Sequence, residues 1–317
     1  MSVHRVRGLS IVLGGLVLWT LSAKPADAQL NTQHIRGTVG LKGGSQPPPD
    51  IYLIAPLVYV YTTDEVKNSA GEPLPGDASI TSTAYAGGLI FITPKKILGG
   101  FYGFQMLFPA AIDNRLQGTE IDSSPGPGLT DSGIVPFSLG WHFKRADATA
   151  AYTIYVPTGQ FSPGATDNTG FGMWGHEPSF GTTVYLTQSR QYHAATVASV
   201  TFNSKKRNTE TKVGTAMNLE GGVGADFLKG GLTAGIDYYT EFKLTDDQIE
   251  GFPDILVRGK NKVFALGPEV SLALARNGSL YGFLKVNYQW ELYARTTTQG
   301  GELTILATFL TKPFKLP

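Results

Sequence analysis

The segment Ser279 to Tyr293, SLYGFLKVNYQWELY, decides the fold. Its residues alternate in type with a period of two. Leu280, Gly282, Leu284, Val286, Tyr288, Trp290 and Leu292 fall on one face, and Tyr281, Phe283, Lys285, Asn287, Gln289, Glu291 and Tyr293 on the other. In a strand successive side chains point to opposite faces, so one face suits hydrocarbon and the other a wet interior. Leu232 to Leu244 divides in the same way: Leu232, Ala234, Ile236, Tyr238, Phe242 and Leu244 oppose Thr233, Gly235, Asp237, Tyr239, Glu241 and Lys243. Strands with this pattern, closed on themselves, make a transmembrane barrel that never reads as strongly hydrophobic in a window.

Working outward, the same alternation between turn clusters predicts about twelve strands over residues 51–310. The connections alternate in length. Long polar links are expected at 64–77, 110–132, 157–179, 203–211, 245–261 and 294–301, and short ones near 94–100, 145–148, 188–192, 229–231 and 276–278. Bacterial outer-membrane barrels have short periplasmic turns, long extracellular loops and an even strand count that leaves both ends of the barrel sheet periplasmic. The expectation is therefore an all-β, antiparallel, up-and-down barrel in the bacterial outer membrane. Two registers follow from the turns. A turn at Lys229-Gly230 sets Asn218 opposite Glu241, Glu220 opposite Tyr239 and Val223 opposite Ile236. At Asn277-Gly278 a two-residue loop would place Val270 opposite Lys285, an apolar side chain against a charge. A three-residue loop, Asn277 to Ser279, repairs this and makes Glu269 a diagonal neighbour of Lys285.

Composition agrees. Charged residues are 16% of the chain, against about 25% in a typical soluble domain, and Gly reaches 39 of 317 residues. At the start, Arg5 and Arg7 precede an apolar run from Leu9 to Ser22 and the small-residue site Ala26-Asp27-Ala28. This is the layout of a secretory signal peptide spanning residues 1–28, too short to cross a bilayer as a helix. Removing it takes away Arg5, Arg7, Lys24 and Asp27, and the 26 basic and 25 acidic residues fall to near balance. A balanced chain offers no clustered basic face for nucleic acid. There is no Cys, so stability rests on packing and backbone pairing. Residues 29–50, with Gly37, Gly40, Gly43, Gly44 and Pro47-Pro48-Pro49, read as a periplasmic N-terminal arm, either tucked toward the barrel mouth or a flexible tail.

The inward faces supply candidate transport residues: Glu220, Asp226, Asp237, Tyr239, Glu241, Lys243, Glu269, Tyr281, Phe283, Lys285, Glu291 and Tyr293. Charges lining a barrel screen solutes by size and polarity, or satisfy one another in a narrow interior. Inward aromatics form an apolar slide or fill the lumen. Tyr59, Tyr61, Trp141, Phe143, Tyr152, Tyr185, Phe202, Phe242, Trp290 and Phe309 suit aromatic girdles at the membrane interfaces. The loop candidates are Phe161, Phe171 and Trp174, in a segment that binds an external partner, folds inward, or packs on its own rim. His34, His142, His176 and His193 are scattered, with no pair at metal-ligand spacing. Ser138 and His142 are the best pair for a barrel hydrolase, and lumen polarity explains them more simply. No cofactor or catalytic residue is expected.

Several stretches resemble the outer-membrane transporter family named for the MetA pathway of phenol degradation. They are Tyr155-Val156-Pro157-Thr158-Gly159 with Trp174 downstream, Tyr238-Tyr239 leading to Leu244-Thr245-Asp246-Asp247, Ala265-Leu266-Gly267-Pro268-Glu269-Val270, and Thr298-Gln299-Gly300. The resemblance implies a barrel that passes hydrophobic or aromatic compounds, and it carries no catalytic residues. The functional expectation is a passive channel for small hydrophobic or aromatic solutes. The alternative is a structural or adhesive barrel with a blocked lumen. Partners are outer-membrane lipid, the solute and the barrel-assembly machinery, which reads a terminal aromatic residue; with the last strand ending near Leu310, Phe309 or Phe314 would serve.

Overall fold

The computed structural model describes residues 31–118, 121–251 and 260–315. The expected signal peptide lies outside the described residues. Twelve long antiparallel strands form a ring: β1 (Asp50–Val66), β2 (Ser79–Ile97), β3 (Gly100–Gly118), β6 (Ser132–His142), β7 (Ala146–Val156), β8 (Gly175–Tyr185), β9 (Tyr192–Asn203), β10 (Ala216–Phe227), β11 (Leu232–Lys243), β12 (Lys262–Arg276), β13 (Ser279–Arg295) and β14 (Thr298–Lys315). Two short strands, β4 (Ile121–Ser123) and β5 (Gly128–Leu129), pair with β3 at the loop end. The ring closes because β1 pairs with β2 on one side, Val58 facing Tyr85, and with β14 on the other, Val58 facing Ile305. Closure leaves no edge whose unpaired N–H and C=O groups would face lipid.

The wall is inside-out relative to a soluble domain. Phe91, Phe108, Phe180, Phe202, Val223, Ile236, Val270, Val286, Trp290 and Phe309 stand exposed on its outer surface. A belt of this kind is stable only against hydrocarbon. Buried instead are Glu177, Asn218, Glu220, Asp237, Glu241, Glu269, Asn287, Gln289, Glu291 and Glu302.

The β10–β11 register is the expected one: Asn218 faces Glu241, Glu220 faces Tyr239 and Val223 faces Ile236. At Asn277-Gly278 both alternatives contribute. The turn has two residues, both at positive φ (52° and 71°), with Arg276 facing Ser279. A bulge then shifts the pairing between Leu274 and Ala275, which restores Val270 opposite Val286 and sets Glu269 diagonal to Lys285. A second bulge between Phe264 and Ala265 skips Leu292 and inverts the alternation beyond it. Ala294 is therefore buried and Tyr293 exposed, against the inward orientation expected for Tyr293. The long link expected at 294–301 shrinks to Thr296-Thr297, with Thr296 at φ 54°, because β13 and β14 stay paired up to the turn, Arg295 facing Lys262 of β12 and Thr298 facing Val66 of β1. At its other end β14 extends to Lys315, so Phe314 lies within the final strand rather than in a tail.

Five strands, β1, β2, β3, β13 and β14, have 17 to 19 residues, while β6 to β11 have 11 or 12. About 9–11 tilted residues cross a hydrocarbon core, so the longer strands project beyond the bilayer. Val286 lies in the outer belt near the middle of β13. Val286→Arg is expected to destabilise the barrel in phospholipid vesicles by about 2–4 kcal/mol, read from denaturant unfolding.

Candidate functional site: a lumen filled by the N-terminal arm

The arm does not stay at the periplasmic mouth. Residues 33–49 run down the length of the lumen. Gln33 is at the extracellular end, where its Nε2 donates to Asp131 Oδ2 at 2.9 Å and to the Met173 carbonyl at 2.7 Å. Ser45 is at the periplasmic end and donates to Asp147 Oδ2 at 2.8 Å. The chain then reverses into β1, with Tyr52 donating to the Pro48 carbonyl.

Between these ends the arm meets wall carboxylates on four of the strands, β8, β10, β12 and β13. His34 Nδ1 lies 2.9 Å from Glu177 Oε2 on β8, and its Nε2 lies 2.6 Å from Glu220 Oε1 on β10. With a carboxylate at each ring nitrogen, the imidazolium is the form that donates to both. Arg36 sits 3.7 Å from Glu291 Oε1, with its guanidinium carbon 5.5 Å from the centre of the Tyr239 ring. Glu291 is also held by the hydroxyls of Tyr61 and Tyr239, each at 2.8 Å. Further down, Leu41 N donates to Glu269, and Lys42 Nζ lies 2.7 Å from both oxygens of Asp226. Residues 31–49 carry His34, Arg36 and Lys42 and no acidic residue. The arm is thus the cationic complement of an acidic wall.

Its backbone is gripped as well. Lys285 Nζ donates to the Thr38 carbonyl at 2.6 Å, and Asn287 Nδ2 to the Gly37 carbonyl at 2.9 Å. Gly37 (φ 72°) and Gly40 (φ 75°) adopt the left-handed conformation, and a Cβ at either would collide with Gln289 and Glu302, or with Glu269. Leu41, 1% exposed, occupies a socket over Gly222, Gly224 and Gly235. A Cβ on those three wall glycines would come within 2.7, 2.9 and 3.0 Å of the Leu41 methyls.

The sequence candidates divide accordingly. Glu220, Asp226, Tyr239, Glu269, Lys285 and Glu291 converge on the arm. Asp237 faces the lumen and accepts from Asn287, while Glu241 accepts from Asn261. Lys243 is buried and pairs with Asp247 at 2.7 Å. Phe283 lines a cavity of roughly 310 Å³ between the arm and β11–β14, shared with Val39, Leu41, Lys42, Lys285 and Leu306. Tyr281 is displaced onto the bulge that follows the Asn277-Gly278 turn and is exposed. Tyr59, Tyr61 and Tyr185 do not join girdles. They turn inward and donate to Glu302, Glu291 and Asp147.

The 157–174 loop packs on its own rim. Asp131 accepts from the Gly159 and Phe171 amides at 3.1 and 3.0 Å, and Arg207 reaches the Gly159 carbonyl. Phe161 packs against Gly172, Phe171 is half-buried and Trp174 is exposed. Ser138 Oγ has no hydrogen-bond partner, and His142 pairs with Asp147, so the two do not form a nucleophile and base. Sequence reasoning missed His34, Arg36, Asp131 and Glu177. An acid-free cationic segment placed ahead of strands with acidic inward faces was the available signal.

The family model described as "Putative MetA-pathway of phenol degradation" matches residues 63–306. The chain belongs to this family. No curated protein sequence matches it. Among solved structures, this MetA-pathway family member is similar to the COG4313 outer membrane channel from Pseudomonas putida F1, with TM-score 0.71 and 14% identity over 84% of this chain and 97% of that one. It is also similar to the beta domain of the Bordetella autotransporter BrkA, with TM-score 0.48 and 12% identity over 82% and 98% of the two chains. The first likeness shows a shared outer-membrane barrel fold. Together with the closed ring and apolar belt, it places this family member in the bacterial outer membrane.

Leu41→Ala empties the wall socket, and removal of a buried Leu side chain costs about 2–5 kcal/mol. Loosening is expected to appear as faster thiol labelling of a reporter Thr38→Cys, free of background because the chain has no other Cys. Gly224→Val is expected to act in the same direction by occupying the socket. Equal labelling rates in the parent and both variants would show that Leu41 does not seat the arm.

Proposed function

We propose that this barrel is an outer-membrane channel for small hydrophobic or aromatic compounds, with the arm narrowing the lumen to a selective passage. The observation that carries the reading is the cavity of roughly 310 Å³ beside the arm, where an apolar side made by Phe283, Leu306, Val39 and Leu41 faces Thr233, Ser271 and Thr308 and the charged Lys42, Glu269 and Lys285. A single substituted ring is of suitable size for this space, its apolar face against Phe283 and Leu306 and a hydroxyl toward the polar side. Membership of a family described by phenol degradation supports the same solute class. Twelve strands enclose a narrower interior than those of the large porins, and the arm occupies part of it, which favours a selective solute over general diffusion.

A second reading, a structural or adhesive barrel with a blocked lumen, draws on the arm's many wall contacts. Uptake separates the two. Cells lacking this gene and regaining it are compared for entry of labelled phenol, toluene and a hydrophilic sugar. Faster entry of the aromatics alone is expected on complementation, and Phe283→Asp is expected to reduce it by placing a charge in the apolar part of the cavity. Equal aromatic entry with and without the gene would leave the blocked barrel as the better account.

A further inference from the structure

The Arg36 seat is built for a cation and holds its present one loosely. Glu291 lies 3.7 Å away, beyond hydrogen-bond length, and Arg36 Nη1 has no hydrogen-bond partner. The Tyr239 ring faces the guanidinium, and Glu291 accepts the Tyr61 and Tyr239 hydroxyls. Glu302, fully buried, crowds Gly37 next to Arg36 in sequence, and its Oε1 is left without a partner. A seat combining carboxylates, an aromatic face and an unpartnered buried oxygen attracts an organic cation by charge and by the ring quadrupole.

We propose that this seat is an exchangeable guanidinium site. The arm occupies it as an intramolecular counter-ion, a cationic peptide competes with the arm for it, and the vacated lumen conducts cations over anions. Charge balance leads to the same end. Without His34, Arg36 and Lys42, the wall keeps Glu177, Glu220, Glu269, Glu291 and Glu302, with Lys285 among them. A ring of carboxylates in a narrow lumen selects cations. The inference does not depend on which solute the barrel carries, because it concerns the arm and the wall alone.

The test uses the purified barrel in planar bilayers under a KCl gradient, comparing the full chain with a variant lacking residues 31–47. The shortened variant is expected to conduct more, with a reversal potential displaced toward that of K⁺. A synthetic peptide of residues 31–47 is expected to block it. Citrulline in place of Arg36 keeps the shape and removes the charge, and should weaken block by about tenfold or more, the size expected when a desolvated cation loses its aromatic and carboxylate partners. An unselective or anion-selective pore, or equal block by both peptides, overturns the proposal. If the shortened variant shows no heat-modifiable mobility and so has not folded, full-length Arg36→Gln carries the test: more frequent cation-selective openings support the exchangeable site, and an unchanged current overturns it.

Discussion

Every feature of this barrel depends on the backbone pairing between β1 and β14. In hydrocarbon an unpaired peptide group costs several kcal/mol, with no water to offset it. An open sheet of twelve strands would leave two such edges; the β1–β14 seam removes both. Once the ring closes, each strand must present one face to lipid and one to the lumen. The sorting of Val286 outward and Asn287 inward follows from that closure and from the pleat, without any separate hydrophobic core.

Closure also creates the electrostatic difficulty that the arm resolves. The inward faces concentrate Glu177, Glu220, Glu269, Glu291 and Glu302 in a confined space, and buried charges are tolerated only when paired and hydrogen-bonded. Wall cations supply part of the balance, chiefly Lys285. The rest comes from a segment of the same chain that brings His34, Arg36 and Lys42 to different heights and holds its own backbone against Glu269, Lys285 and Asn287. Wall glycines complete the fit, since Gly222, Gly224 and Gly235 leave the volume that Leu41 fills.

The strand pattern, the loop alternation as far as β13 and the β10–β11 register were legible in the sequence because each depends on residues close along the chain or on strict parity. What escaped was whatever breaks parity or acts at long range. The bulge that skips Leu292 reversed Tyr293, and Tyr59, Tyr61 and Tyr185 read as interface aromatics because their hydroxyl partners lie on distant segments. The arm was harder still. His34 meets partners 143 and 186 positions away, so nothing local distinguishes it from an isolated histidine. Its glycines and prolines suited a tail as well as a lumen filler, and only the contrast between its purely basic charge and the acidic strands pointed inward.

The direction of the arm bears on how the molecule comes to be made. It enters the lumen below β1 and climbs to Asp131, yet the seam beside β1 needs the last strand of the chain. A closed ring admits the arm only end-first through its mouth, whereas an open sheet can receive all of its wall contacts side-on. The simplest order of events therefore has the arm lying along the curling sheet before β14 zips to β1, so that the barrel is cast around its own N-terminal segment.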